Sequence, residues 1–271
     1  MEKNIIQFES SDGIYTITVD RPDALNAMNP KILRALTEAI QTADSDDEIG
    51  VILLTGSGDK AFIAGADIKE MSQLNVEEAR VFANLGKILT DCIEHASKPV
   101  IAVINGFALG GGCEIALHAD HVQASAETYI GLVEMGVGVI PGGGGTKEMA
   151  RRASKAYFSG DIELPTLKER YLNIGMAKVA TSAQEAIELD LLLKNRDKVT
   201  VGFNNLITDA KAATLNLATQ GYTQPVPEKI KALGKQGLGM FMVGAHSMHA
   251  AGYITEHEKL MSKISVCNLW R

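Results

Sequence analysis

The sequence has few of the features that mark disulfide-stabilised, metal-binding or membrane-spanning proteins. It holds three cysteines in 271 residues, Cys92, Cys113 and Cys267, and they form no CxxC pair or Cys/His cluster. We therefore expect neither a disulfide framework nor a metal site. No apolar run reaches the roughly 18 to 20 residues that span a bilayer, and the amino terminus lacks the basic end and apolar block of a signal peptide. The expectation is a cytoplasmic protein without membrane contact.

Positive charge is also scarce. The chain has 26 lysines and arginines against 33 aspartates and glutamates, which gives a net charge of −7. Binding to a nucleic-acid backbone needs clustered positive charge, so this balance argues against a nucleic-acid partner. The GxSxG pattern of many serine hydrolases is absent as well. Any anionic ligand has to be met by local groups.

Strand and helix patterns alternate through the first 120 residues. Each predicted strand is short and apolar, and a helical pattern follows each one after a loop. The predicted strands cover residues 14 to 19, 51 to 56 and 99 to 106. One predicted helix begins at Pro30, the next includes residues 81 to 89, and the third covers residues 111 to 119. This alternation predicts an α/β fold with a buried sheet. Spacing alone leaves open whether the sheet is doubly wound or spiral.

Helical patterns dominate from about residue 145 onward. They include "SAQEAIELDLLL", "NNLITDAKAATLNLA" and "HEKLMSKISVCNLW", and no Gly/Ser-rich linker separates them from the preceding part. We therefore predict a single domain over 1–271, with a core of about 1–195 and a helical segment of about 196–271.

The stretch "NGFALGGGCEIALHAD", residues 105 to 120, places three glycines before Glu114 and a predicted helix. A helix amino terminus exposes unpaired N–H groups and the positive end of the helix dipole, and glycine lets a ligand atom come close. The spacing fits neither GxGxxG nor GxxxxGKS, which disfavours a nucleotide site. Close helix packing and an oxyanion hole remain as alternatives. An oxyanion hole requires a second N–H donor and nearby acid or base groups.

Two further stretches could meet that requirement. "KAFIAGADIKEM", residues 60 to 71, has small residues before a helical start, and "GLVEMGVGVIPGGGGT" places Glu134 among apolar residues, 20 positions after Glu114. A carboxylate in such surroundings is unlike a freely solvated one. Taken singly, a helix cap and a structural ion pair explain these residues equally well. The four glycines at 142 to 145 predict a turn before a helix.

Taken together, these motifs resemble the crotonase superfamily, and within it most closely the enoyl-CoA hydratases. The matching stretches are "RPDALNAMN", "AFIAGADIKEM", "NGFALGGGCEIALHAD" and "GLVEMGVGVIPGGGGT", in that order over about residues 12 to 150. The resemblance implies a crotonase-like spiral of ββα units with a carboxyl-terminal helical segment used for oligomerisation. It also implies a homotrimer or dimer of trimers and an acyl-CoA thioester substrate. No cofactor is implied, because coenzyme A belongs to the substrate.

The resemblance further implies roles for individual residues. The thioester oxygen lies between the N–H groups of Ala66 and Gly111, and Glu114 and Glu134 add water across the C2–C3 double bond of a trans-2-enoyl-CoA. The resemblance implies that Glu114 acts on the water and Glu134 on C2, and it leaves the reverse assignment open. The expected coenzyme A contacts are Ala24, Leu25, Ala64, Asp67, Ile68 and Lys69, with Arg21, Lys60 and Lys69 as candidate phosphate neighbours.

After residue 150 the chain differs from short hydratases by about twenty extra residues. This part resembles the hydratase-like segment that is joined to certain 3-hydroxyacyl-CoA dehydrogenases, so a separate dehydrogenase is a candidate partner. An enoyl-CoA isomerase or another crotonase chemistry is the main alternative function, and a non-catalytic or RNA-binding relative is a remote one. Acyl length, product stereochemistry, pathway and the role of the extra residues stay open.

Overall fold

A computed structural model describes residues 5–158, 160–219, 221–226, 229–231 and 233–269. Within these ranges the strands are β1 Ile6–Ser11, β2 Ile14–Val19, β3 Val51–Gly56, β4 Ala61–Ile63, β5 Val100–Ile104, β6 Phe107–Leu109, β7 His121–Ser125, β8 Tyr129–Gly131 and β9 Lys198–Thr200. The helices are α1 Pro30–Ser45, α2 Ile68–Met71, α3 Val76–Glu94, α4 Gly111–His118, α5 Gly145–Lys155, α6 Leu164–Gly175, α7 Ala183–Glu188, α8 Leu206–Thr219, α9 Gly234–Ala250 and α10 Glu256–Leu269.

The larger sheet has the strand order β1-β2-β3-β5-β7-β9. Its first two strands form an antiparallel hairpin, and the other pairs are parallel. Asp12 and Gly13 make the hairpin turn with φ values of 54° and 75°, the left-handed backbone that two-residue turns need. Strands β2, β3 and β5 lie where the sequence predicts them.

Both faces of this sheet are covered, which explains the continuous apolar runs in β3 and β5. Ile52 and Leu54 face the main core with the buried sides of α1, α3 and α4. Val51 and Leu53 face the opposite side, where Leu206 of α8 joins them in a second, smaller cluster. Successive side chains of a strand point to opposite faces, so a strand with both faces covered is apolar at every position.

A second sheet of three parallel strands, β4-β6-β8, runs beside the first. Each of its strands follows a strand of the larger sheet and precedes a helix, in the orders β3-β4-α2, β5-β6-α4 and β7-β8-α5. The chain therefore repeats a ββα unit, which confirms the crotonase-like α/β spiral. Because the three strands are parallel, their carboxyl ends open at one edge of the small sheet.

The carboxyl-terminal part begins by completing the larger sheet. Strand β9 pairs with β7, and α8 covers the outer face, so the boundary expected near residue 195 precedes a strand of the main sheet. The pattern "SAQEAIELDLLL" yields only the short helix α7. The helix stops there because Asp190 takes a left-handed φ of 56°.

Helix α10 packs against α9 and against α5. His257 of α10 lies with its Nε2 atom 2.9 Å from the carbonyl oxygen of Gly138. The extra residues after 150 contribute α6, where the ring of Tyr171 packs on Phe241 with centroids 4.6 Å apart. Helices α6, α9 and α10 border an apolar cavity that also contacts Met135. The extra residues therefore lie beside the turn that follows Glu134.

Among the described residues, no helix combines the length and the apolar character that crossing a bilayer requires.

Candidate active site

The first N–H donor expected from the sequence lies in the loop after β4. The backbone of Met28 accepts a hydrogen bond from Asp67 N–H and donates one to the carbonyl of Gly65, each at 2.8 Å. Met28 thus pairs with the residues on either side of Ala66. Because successive peptide groups of an extended chain point to opposite sides, the N–H of Ala66 faces away from Met28.

The second donor lies at the start of α4. Gly110 precedes the helix with φ 52°, and its own N–H donates to the carbonyl of Gly131 at 2.9 Å. Gly111 is the first helical residue, so its N–H has no acceptor within the helix. A Cβ atom on Gly111 would lie 2.6 Å from Cε of Met28, and one on Gly65 would lie 3.0 Å from the carbonyl oxygen of Leu109. The two donor loops are therefore in direct contact.

Glu114 lies one turn further along α4 and is buried. Its carboxylate accepts hydrogen bonds from Gly143 N–H at 2.9 Å to each oxygen and from Gly145 N–H at 2.8 Å. Gly145 begins α5, so the positive end of that helix dipole also points at the carboxylate. Burial raises the pKa of Glu114, while the two N–H donors oppose the rise by stabilising the anion.

Glu134 has opposite surroundings. It begins the 3₁₀ turn Glu134–Val137, and both of its carboxyl oxygens are buried without a hydrogen-bond partner among the described residues. The carboxyl group lies against Gly110, where an added Cβ would be 3.2 Å from Oε1. Burial, and then the negative charge of Glu114, raise the pKa of Glu134 to about 8. This raised pKa favours the protonated form of Glu134 at neutral pH, whereas the N–H donors of Gly143 and Gly145 favour the anionic form of Glu114.

The structure thus brings all four proposed chemical groups to the carboxyl ends of β4, β6 and β8. An anionic carboxylate can accept a proton, a neutral carboxyl group can donate one, and free N–H groups can stabilise a developing oxyanion. These are the elements of a proton-transfer reaction next to a carbonyl group.

The residues expected to contact coenzyme A lie in the first loop and in the segment that follows β4. Ala24 and Leu25 lie in the first loop, and the carbonyl of Leu25 accepts a hydrogen bond from Ala64 N–H at 3.1 Å. Asp67 caps α2 by accepting from the N–H groups of Lys69 and Glu70. Ile68 and Lys69 are exposed on α2, and Lys60 is exposed on the loop before β4.

Arg21 forms an ion pair and a hydrogen bond within the protein. Its guanidinium group lies 2.7 Å from the carboxylate of Asp67 and donates to the carbonyl of Ala27 at 3.1 Å. Of the three cations considered as phosphate neighbours, Arg21 is thus already paired, whereas Lys60 and Lys69 are exposed.

Sequence reasoning missed Asn26, which joins the first two loops. The side chain of Asn26 is buried, donates to the carbonyls of Ser57 at 3.0 Å and Ala61 at 2.8 Å, and accepts from Arg21 N–H at 2.9 Å. Its backbone has φ 57°, after a φ of 51° at Leu25. Asparagine tolerates this left-handed conformation better than most residues. An asparagine between apolar residues in "ALNAM" could therefore have indicated a turn with a positive φ.

One group of side chains in the described ranges has the composition of a metal site. Ligand atoms of Glu94, His118 and Glu148 lie within 4.8 Å of one another. Lys147 and Arg151 contact both glutamates, however, so two cations already balance the two carboxylates. Burial lowers the pKa of His118, which favours its neutral form. We interpret the group as a charge-compensated network that joins α3, α4 and α5.

Fold and site geometry together define a protein of the crotonase class. The sequence model of the family described as enoyl-CoA hydratase/isomerase matches residues 9–159, more than half of the chain. The chain belongs to the enoyl-CoA hydratase/isomerase family.

Individual relatives agree with this membership. Over 151 residues the chain is 44% identical to a short-chain-enoyl-CoA hydratase of Clostridium acetobutylicum, which covers 56% of this chain and 58% of that protein. Over 242 residues it is 34% identical to a probable 3-hydroxyacyl-CoA dehydrogenase of Bacillus subtilis, covering 88% of this chain and 30% of that protein. The match to the dehydrogenase extends past residue 159, which confirms the resemblance inferred for the extra residues. The chain spans about three-fifths of the hydratase and under a third of the dehydrogenase.

Among solved structures, an enoyl-CoA hydratase from Bacillus anthracis superposes with a TM-score of 0.69 at 25% identity. The superposition covers 98% of this chain and 90% of that chain. The fold similarity therefore includes the carboxyl-terminal helices.

The unequal surroundings of the two glutamates predict how stability depends on pH. The pKa of Glu134 rises from 4.5 to about 8 on folding. The contribution of this group to the free energy of unfolding is therefore complete below pH 4.5 and is lost as the pH rises through 8. The loss is at most about 1.4 kcal/mol per pH unit. Glu134→Gln removes this dependence, so the variant should gain stability over the parent between pH 5 and pH 8. Urea unfolding at four pH values measures the difference in the free energy of unfolding between the variant and the parent.

Glu127→Gln is the matched control for this measurement, because Glu127 is exposed. The free energy of unfolding of this variant should stay close to that of the parent at every pH. A constant difference for Glu134→Gln would contradict the raised pKa.

Proposed function

We propose that this protein is an enoyl-CoA hydratase, which adds water to a trans-2-enoyl-CoA and forms a 3-hydroxyacyl-CoA. The observation that carries the proposal is the pair of buried carboxyl groups in unlike states, Glu114 held by two N–H donors and Glu134 unpartnered with a pKa of about 8. Hydration needs one group that takes a proton from water and another that gives a proton to C2. Named hydratase relatives support the same reaction.

In this mechanism Glu114 accepts a proton from water while the water oxygen forms a bond to C3. The electron pair of the C2–C3 double bond moves toward the thioester carbonyl, whose oxygen becomes an enolate. Glu134 then donates its proton to C2, and the carbonyl double bond re-forms. The product is one water heavier than the substrate, and transfer of the proton from Glu114 to Glu134 restores the starting state.

The N–H groups of Ala66 and Gly111 are the proposed donors to the enolate oxygen. Donors that are already oriented cost no reorganisation when charge develops, which makes such sites effective. The amino terminus of α4 adds the positive end of its dipole at the same place. Support comes from the contact between the two loops and from the absence of an intrahelical acceptor for Gly111.

An isomerase that moves a double bond between C3 and C2 is the alternative within this family. Such a reaction can use one group that removes a proton and returns it. The distinct environments of Glu114 and Glu134 favour two separate roles and therefore hydration. Loss of crotonyl-CoA absorbance compared with conversion of a 3-enoyl-CoA separates the two activities. An RNA-binding role is disfavoured by the net charge of −7.

For coenzyme A we propose the rim formed by Ala24, Leu25, Ala64, Asp67, Ile68 and Lys69. Lys60 and Lys69 are exposed and available to phosphates, whereas Arg21 supports the rim through Asp67.

We also propose a trimer or a dimer of trimers, assembled through the carboxyl-terminal helices. Helices α9 and α10 expose apolar side chains, including Val243 at 67% and Leu260 at 53%. Exposed apolar patches of this kind mark protein interfaces. A separate 3-hydroxyacyl-CoA dehydrogenase is the proposed consumer of the product. Multi-angle light scattering at micromolar concentration should report three or six chains, and a monomer would contradict the assembly.

The two carboxylates predict the kinetics of substituted proteins. Glu114→Gln and Glu134→Gln should each lose hydration of crotonyl-CoA by at least ~10²-fold, because each removes one positioned proton-transfer group. The double variant should be little worse than the poorer single variant, since the groups act as a unit. Circular dichroism and acyl-CoA binding serve as controls for folding. Normal hydration by Glu134→Gln would overturn the two-carboxylate mechanism.

Gly111→Pro tests the oxyanion donor, because proline fits the first position of a helix but lacks an N–H. We expect turnover to fall by ~10² to 10³, the loss caused by removing one such donor elsewhere. Gly111→Ala is the steric control, since it keeps the N–H and requires only the flexible end of Met28 to move. Equal activity of the two variants would argue against the donor.

A further inference from the structure

The turn that holds Glu114 is itself held by a side chain outside the carboxylate pair. Thr90 lies on α3, is 3% exposed, and its hydroxyl donates to the carbonyl of Gly143 at 2.6 Å. A second acceptor, the carbonyl of Lys87, lies at 3.1 Å. A hydroxyl has one proton to donate, and the shorter contact is the one to Gly143.

The position of this bond within the turn is informative. The carbonyl of Gly143 belongs to the peptide group between residues 143 and 144, and the two N–H donors to Glu114 flank it, Gly143 before and Gly145 after. Thr90 therefore holds the central peptide group of the turn, whose orientation determines the directions of both donors. The turn has no side chains of its own to hold it, because it consists of glycines.

Contacts on the other side leave the turn little freedom. Gly144 has φ 102°, and an added Cβ would lie 2.9 Å from Nε2 of His118, so only glycine fits there. The turn is thus enclosed between α3 and α4. Without the Thr90 bond, the carbonyl of Gly143 would be buried and unpaired, which favours a rotated peptide group.

We propose that Thr90 is a positioning residue, which orients the Gly143–Gly145 turn so that its two N–H groups keep Glu114 ionised as the base. The proposal rests on the hydratase function proposed above for the Glu114 and Glu134 pair. Thr90 does not touch the reacting atoms and acts through the turn.

Several other charged or titratable groups surround Glu114. Cys113 and His118 share α4 with it, and Glu134 approaches from the 3₁₀ turn. From α5, Glu148 acts electrostatically on His118 and Arg152 on Cys113. Within the part of the chain that the structure describes, the Thr90 hydroxyl bonds to the carbonyls of Lys87 and Gly143 and to none of these groups, so its replacement changes the hydrogen bonding of Glu114 while leaving these charges in place.

The test compares Thr90→Val, which keeps the shape and removes the hydroxyl, with Thr90→Ser, which keeps the hydroxyl. In Thr90→Val we expect the acidic limb of the pH profile of kcat/KM for crotonyl-CoA to move up by about one pH unit, because weaker N–H bonds make Glu114 easier to protonate. At pH values on the acidic limb, kcat/KM of Thr90→Val should be about 10-fold lower than that of the parent. Thr90→Ser should restore the parental profile.

Hydrogen–deuterium exchange provides a readout that does not depend on the reaction. In Thr90→Val the amides of residues 142 to 146 should exchange faster, and in Thr90→Ser at the parental rate. Glu94→Gln is the control, because Glu94 lies on the same face of α3 and pairs with Lys147 and Arg151 without contacting the turn. It should weaken the contact between α3 and α5 and leave the pH profile unchanged.

A parental pH profile or parental turn exchange in Thr90→Val would overturn the proposal, as would failure of Thr90→Ser to restore both. If the unsubstituted protein does not hydrate crotonyl-CoA, the proposed function fails. Hydrogen–deuterium exchange at residues 142 to 146 then still tests whether Thr90 orients the turn.

Discussion

Two carboxyl groups buried next to each other cannot both be ionised at neutral pH without a large electrostatic cost, and this constraint organises the candidate site. The chain lowers the cost by giving the two groups different surroundings. Glu114 receives two backbone N–H donors and a helix dipole, whereas the carboxyl oxygens of Glu134 are buried with no hydrogen-bond partner among the described residues. One group is thereby stabilised as an anion and the other as an acid. The reaction we propose uses that difference directly.

The fold supplies this arrangement through the small sheet. Strands β4, β6 and β8 are parallel and end at one edge, so three loops that are distant in sequence meet there. Glycine is required where the start of α4 meets β4, because a Cβ at Gly112 would lie 2.1 Å from the backbone carbonyl oxygen of Ile63. The larger sheet, covered on both faces, provides the rigid support for these short strands and loops.

Much of this could be predicted from the sequence. The apolar runs in β3 and β5 and the glycines before α4 indicated buried strands and an open helix start, and the order of four motifs indicated the family. The meeting of Glu114 with Gly143 and Gly145 could not be predicted, because it joins residues 29 and 31 positions apart through backbone atoms that carry no side-chain signal.

The roles of Asn26 and Thr90 were missed for a similar reason. Both are polar residues in apolar surroundings, and their partners are carbonyl groups of other segments. Strand β9 was missed because only three residues pair and two of them are exposed. The pattern of the carboxyl-terminal helices indicated their existence, whereas the end of α7 depended on the backbone conformation of Asp190.

The central claim is that Glu134 holds a proton at neutral pH while Glu114 is ionised. Infrared difference spectroscopy between the protein and its Glu134→Gln variant tests it directly, because a protonated carboxyl group has its own carbonyl stretching band. The account predicts a band that is present at pH 6, absent from the variant, and lost as the pH rises through about 8. A difference spectrum without that band at pH 6, or a band that disappears near pH 4.5, the ordinary pKa of a glutamate, would contradict it.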